Sequence, residues 1–324
     1  MSPLFGKTAK IGALAKAVTS SGIDKLVGDP DAHRFQRELA RGRWQEFHQF
    51  LEGTTDWATR HWYVRQLSDI TGRPAWLDEW VAARPDSAIP LLFRGSHGAH
   101  WAWQARGSGW ANTVKQDAWA VFHSRLVAAD EDLTRAAVLD PRDPCPWEVS
   151  LPVVRGLSLG QVEGRRRFDE AHRRDPWNLY ACQDMVQVTA KKWAGSHEAM
   201  FEFARSVLAQ APEGSGAHRV IPLAHIEKWL DLSNASLERQ RYFLQAEVRS
   251  EIYAAATKSI RSPHYRNGVT SWGDRNAFAF CFDLMADVTA TREQMKIIGP
   301  RITHPWTMFP DPMARVRRAR EGWR

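Results

Sequence analysis

The sequence is poor in cysteine, and its three cysteines form no pattern. Cys145, Cys182 and Cys281 are widely separated and odd in number. No disulfide framework and no CxxC zinc pair can be drawn from them, which favours a reducing compartment and a cytoplasmic location. Long apolar runs are missing as well. Lys10 and Lys16 interrupt the N-terminal apolar residues, so that stretch fits neither a signal peptide nor a membrane span. Alternating strand patterns bounded by hairpin dipeptides are absent, which argues against a sheet. Catalytic signatures are equally scarce. There is no HExxH pair. Gly6-Lys7-Thr8 fails as a phosphate loop, because Met1 stands where that loop needs its earlier glycine.

What is abundant is tryptophan, with 16 in 324 residues. Such large rigid side chains either wedge between helices or line a groove. The net charge of +7 is placed unevenly. Lys7, Lys10, Lys16 and Lys25 against Asp24 give the first 28 residues +3, and five arginines against Glu321 give residues 315–324 +4. The body between them is balanced. A nucleic-acid binder normally spreads positive charge over a folded face. Nucleic acid and anionic membrane are therefore minor partner readings, carried by the basic ends alone.

The organising stretch is Leu139 to Pro212. Its Asp140-Pro141, Asp175-Pro176 and Ala211-Pro212 steps lie 35 and 36 residues apart, close to the period of a tetratricopeptide repeat. Ala129, Leu133 and Ala136 stand 12, 8 and 5 residues ahead of the first proline. Gly164, Phe168 and Ala171 repeat that register ahead of the second, and Phe201, Ala204 and Leu208 keep its trend ahead of the third. Small residues let neighbouring helices approach, and proline ends the helix it follows. The spacing predicts helix, turn, helix, stacked on the next copy.

Helices are expected near 31–41, 43–52, 55–70, 75–83, 87–105, 114–139, 146–158, 161–174, 178–192, 197–210, 216–231, 237–260, 274–288 and 312–321. The organisation read from them is a basic arm (1–28), a helical repeat array (29–261), and a loop with a C-terminal capping element and basic tail (262–324). The polar, glycine-bearing segment 262–274 marks the end of the array.

Four constellations invite chemistry. His97 and His100 share a helix face, beside Trp101 and Trp103, but lack further ligands for a metal. Ser196-His197-Glu198 cannot form a relay, since adjacent helical residues diverge by about 100°; Ser196 reads instead as an N-cap after Gly195. Asp130-Glu131-Asp132 and the Asp283/Asp287 pair read as solvated helix faces. Arg165-Arg166-Arg167 with Arg173-Arg174, and the 315–324 run, read likewise, with an acidic partner as the alternative.

The segments RGSHGAHWAWQARG (94–107), LDPRDPCPW (139–147), RRDPWN (173–178), KKWAGSHEAMFEFAR (191–205) and IIGPRITHPWTMFPDP (297–312) resemble those of a tetratricopeptide-like bacterial helical-repeat family of unknown function. The resemblance spans about 70–312 and implies a fold, not a reaction. The expectation is thus an all-α, right-handed tetratricopeptide-like α-solenoid with a C-terminal capping helix. Its expected function is a scaffold that binds a protein or peptide in a concave groove, with no catalytic residues, metal or cofactor. Trp147 and Trp177, each opening a first helix, and Arg155, two turns beyond Trp147, are the expected groove anchors. The rival is a helical enzyme or small-molecule binder with a pocket at His97, His100, Trp101 and Trp103.

Overall fold

The computed structural model describes residues 23–107 and 116–322. The basic arm up to residue 22, the start of the 114–139 helix and the last two residues lie outside them. Among the described residues there are sixteen α-helices and no strand. The chain is all-α.

Helix starts follow side-chain chemistry. Asp29 accepts a bond from Ala32 N–H and is followed by Pro30, which opens α1 (Pro30–Leu39). Asp56 caps α3 (Trp57–Leu67), after α2 (Gln45–Gly53), by accepting from Thr59 N–H. Ser87 caps α5 (Ala88–Arg106), which follows α4 (Trp76–Ala83). Ser196 accepts from Ala199 N–H at the start of α10 (His197–Gln210), so its expected role as a cap holds.

The chain divides into two compact units. The described part of the first runs over 29–107 and 116–188. It contains α1 to α5, α6 (Gln116–Leu139), α7 (Cys145–Gly156), α8 (Gly160–Arg174) and nearly all of α9 (Leu179–Thr189). Phe35, Phe47, Trp80 and Phe93 form its aromatic centre, with Trp44 stacked on Trp80 at 5.6 Å. Within this unit α5 packs on α6, α6 on α7 and α7 on α8. Gly164 on α8 shows why small residues are needed there. A Cβ at that position would sit 2.6 Å from Val188 Cγ1 on α9. Arginines then fix the register. Arg94 on α5 holds Asp132 on α6 with two bonds of 2.7 Å and also reaches Asp78 on α4. Arg167 on α8 holds Asp130 on α6. Asp130 and Asp132, expected on a solvated face, are therefore inter-helix clamps, while Glu131 between them is exposed.

The second unit, described over 23–28 and 189–322, contains α10, α11 (Val220–Asp231), α12 (Leu237–Arg241), α13 (Ala246–Lys258), α14 (Ser271–Leu284), α15 (Val288–Ile298) and α16 (Pro312–Glu321). Phe278, Phe280, Phe282 and Trp306 are its largest buried aromatics. The single helix expected over 237–260 is broken. Tyr242–Leu244 forms a 3-10 turn and Gln245 is extended, because Tyr242 and Phe243 turn into the core. The helix α15 is unexpected; Asp287 caps it by accepting from Ala290 N–H. The 261/262 boundary falls inside this unit. Tyr265 donates to Asp274 at 2.7 Å and Asn267 receives Arg275, so the polar segment is bonded to α14. Asp283, expected on a solvated face, is buried against Arg315 on α16.

The repeat register is kept more strictly than the sequence reading held. Ala129, Leu133, Ala136, Gly164, Phe168 and Ala171 are all buried. Ahead of the third proline, the buried residues at 12, 8 and 5 are Met200, Ala204 and Val207. Phe201 and Leu208, one position further along, are only half-buried. We expect Phe168→Ala to lower unfolding free energy by about 3–5 kcal/mol, as for a core aromatic. A loss under about 1 kcal/mol in a urea melt would contradict its place in the packed register.

Candidate functional site

Both histidines of the expected pocket face the Ser68–Asp69 turn. His97 is buried, its Nδ1 lies 3.0 Å from Ser68 O, and it stacks on Trp101. His100 Nδ1 lies 3.9 Å from Asp69. Trp101 carries the Arg125 guanidinium over its ring at 3.3 Å, and Trp103 packs edge-on against Phe122. Trp147, on the first turn of α7, is half-buried between the guanidiniums of Arg166 and Arg174, 5.5 and 5.3 Å from its ring. Trp177 is half-buried with a positive φ of 65° and packs edge-on against His172. Arg155 points inward, to Asp184 at 3.3 Å, so it is not presented at a surface.

A centre that the sequence did not announce lies between α3, the start of α7 and α9. Residues Arg60 to Val64 of α3 are buried in succession, so this helix is enclosed on every side. His61 on α3 brings Nδ1 to 2.8 Å from Oε2 of Glu148 on α7. That approach lacks hydrogen-bond alignment: neither ring nitrogen and neither carboxylate oxygen has a hydrogen-bond partner among the described residues. Cys145 stands one turn before Glu148 on the same helix face. One ligand atom each from His61, Cys145 and Glu148 lie within 4.8 Å of one another, and all three residues are buried. Among the described residues this is the single such trio of histidine, cysteine and carboxylate side chains.

The surroundings are polar but balanced. Arg65 donates to Asp184 at 2.9 Å. Arg60 lies 3.5 Å from Asp143, whose other oxygen accepts from Cys145 N–H at 2.8 Å. Tyr180 of α9 stacks on the His61 ring at 4.8 Å. Burial pushes the Glu148 carboxyl and the Cys145 thiol well up, and it pushes the His61 imidazole well down, helped by the charges of Arg65 and His100. Left to itself the trio is held as acid, thiol and neutral ring. In sequence, Cys145 and Glu148 carry a helix-spacing signal, whereas His61, about eighty residues away, carries none.

The second unit has a different constellation. His225 on α11 lies 2.8 Å from the Tyr242 hydroxyl through Nδ1 and 3.0 Å from Glu251 on α13 through Nε2. Glu251 also accepts from Arg205 at 2.7 Å. With the carboxylate ionised, Nε2 carries the proton, and in the neutral ring Nδ1 accepts from Tyr242. The His225 bond and the Arg205 bond hold Glu251 down to about 2, against the desolvation of its site.

Residues 32–146 match the domain of unknown function DUF4034. No curated protein matches the chain. The DUF4034 segment begins well before residue 70, where the sequence resemblance starts, and it ends long before 312. It includes the quoted segment 94–107 and most of 139–147, and it contains His61 and Cys145 but stops two residues short of Glu148. The family of unknown function is supported; a tetratricopeptide relationship is not what this match shows. None of the described helices is long and apolar enough to cross a membrane.

Glu251 gives a pH prediction. Its folded value lies below the ordinary value of 4.5, so its stabilisation is present above pH 4.5 and is lost as pH falls through about 2. Glu251→Gln should cost about 2 kcal/mol at pH 7, after discounting for partial exposure. In urea melts across pH, the difference from wild type should shrink steadily below pH 4.5. A difference that stays constant to pH 2 would refute the assignment.

Proposed function

We propose that this chain is a helical-repeat scaffold, a right-handed tetratricopeptide-like array that binds a protein partner. The observation that carries the reading is the distribution of exposed apolar side chains. Nine large ones are exposed among the described residues, and six of them fall between 121 and 162: Val121, Val127, Val138, Leu139, Leu159 and Val162. Val162 on α8 is 87% exposed and Val138 on α6 is 72% exposed. Water gains nothing from such residues, and their concentration on α6, α8 and the connection before α8 fits a surface that another protein covers. Exposed guanidiniums of Arg165 and Arg166 lie on α8 close by in sequence, each already paired with Asp169 or Glu163. They give the apolar face a polar rim that partner acids can share.

This reading keeps the expected class of function and changes the residues. Aliphatic side chains of α6 and α8 take the place of Arg155, which is committed to Asp184, and Trp147 and Trp177 stand as flanking aromatics. Basic-end binding to nucleic acid becomes less attractive, since Arg315 of the C-terminal run is committed to Asp283. The test compares full-length wild type with a Val138→Glu/Val162→Glu variant by quantitative affinity capture from the native host. Both positions are exposed, so the variant should melt within about 0.5 kcal/mol per site of wild type. A partner enriched by wild type, and lost by at least about tenfold with the variant, is the expected result. Equal recovery by both proteins would rule out this face.

A further inference from the structure

We propose that His61, Cys145 and Glu148 form a binding site for one divalent transition metal, with zinc as its ion. Three observations converge. The ligand types are those zinc takes: an imidazole nitrogen, a thiolate sulfur and a carboxylate oxygen. Their atoms already gather within 4.8 Å, from helices far apart in sequence. Finally, His61 and Glu148 are buried with all four polar atoms lacking hydrogen bonds, although their side chains approach to 2.8 Å. Buried polar atoms are nearly always paired, and a ring nitrogen and a carboxylate oxygen left unpaired beside a thiol call for an occupant.

The geometry needs only small adjustment. Ligand atoms around a tetrahedral zinc stand roughly 3.3–3.6 Å apart. The His61–Glu148 edge therefore opens by about half an ångström, and the edges to Cys145 close by about one at most. Three protein ligands leave the fourth position to a water molecule. Charge balance favours the same ion. The thiol and the carboxylic acid each release one proton as the metal enters, and the resulting set of a dication and two anions is neutral. A neutral set suits an interior where Arg60 and Arg65 are already matched by Asp143 and Asp184. The all-oxygen sets preferred by magnesium or calcium contain neither thiolate nor imidazole, so the sulfur and nitrogen point to zinc. Bound there, the ion would tie α3 to the first turn of α7. This inference is independent of the partner face, because its residues are buried.

The experiment uses the full-length reduced protein without a polyhistidine tag, stripped by a chelator and titrated with cobalt(II), then zinc. The expected result is saturation at one equivalent with a thiolate-to-cobalt charge-transfer band, displaced by one equivalent of zinc. Cys145→Ser should abolish the band, Cys182→Ser and Cys281→Ser should keep it, and His61→Gln should weaken binding by about tenfold or more. Circular dichroism establishes that each protein is folded. A folded wild type that shows no such band overturns the proposal, and so does a band that survives in Cys145→Ser.

Discussion

Most of the aspartates that sit between helices here are met by guanidiniums, and much of this structure depends on those pairs. An α-helix satisfies its own backbone, so nothing in the main chain fixes how one helix sits on another. Here the fixing is done by side-chain pairs that cross between elements: Arg94 to Asp78 and Asp132, Arg167 to Asp130, Arg65 to Asp184, and, in the second unit, Arg219 to Asp274 and Arg315 to Asp283. Such pairs add little net stability over an apolar core of equal volume, because both charges lose water. Removing one partner is costly, however, because the other is left charged and buried. A slide of one helix by a turn would break the same pairs. They therefore act chiefly on register, and the glycine and alanines at 12 and 5 residues before the first two prolines supply the close contact that makes the register matter.

Much of the fold was legible for local reasons. Capping residues act within one turn, so Ser196 marked its helix correctly, and Asp29, Asp56 and Ser87 cap theirs by the same local chemistry. The period of the prolines was equally local. Where the reading slipped, a tertiary contact decided the outcome. Nothing near Tyr242 forbids helix, yet its hydroxyl meets His225 and its neighbour Phe243 fills the core, and together they break the segment. Ahead of the third proline Ala204 is buried as expected, whereas Phe201 and Leu208 each stand one position beyond the buried Met200 and Val207. Size suggested the aromatic; the register selected the methionine.

The site was less legible than the fold. His97 and His100 drew notice because they stand three residues apart, and proximity in sequence is what pattern reading detects. His61 has no such neighbour. It joins Glu148 and Cys145 only because α3 is enclosed by later helices, and no spacing rule encodes that enclosure. His100 was nonetheless a near miss, since its charge is among those that hold the His61 imidazole down. A trace of the cluster was present in Cys145 and Glu148, at i and i+3 on the opening turn of α7, next to the Trp147 that attracted attention as a groove anchor.

The His225–Glu251 and His61–Glu148 pairs show how a structural network differs from a candidate site. His225 and Glu251 form a closed set: Tyr242, His225, Glu251 and Arg205 join in sequence, both ring nitrogens have partners, and the carboxylate is stabilised as an anion. Such a network lacks nothing and can rigidify the elements it joins. His61 and Glu148 make an approach of comparable length, yet both groups are driven toward their neutral forms and none of their polar atoms completes a hydrogen bond. If this pair served only to hold α3 against α7, a misaligned contact would be a poor way to do it, since each unpaired buried group costs about 1–3 kcal/mol. Apolar residues of similar volume would do better. The addition of a thiol one turn away completes the donor set proposed for a soft-to-borderline cation, which would relieve the cost for the ring nitrogen and the carboxylate oxygen that bind it.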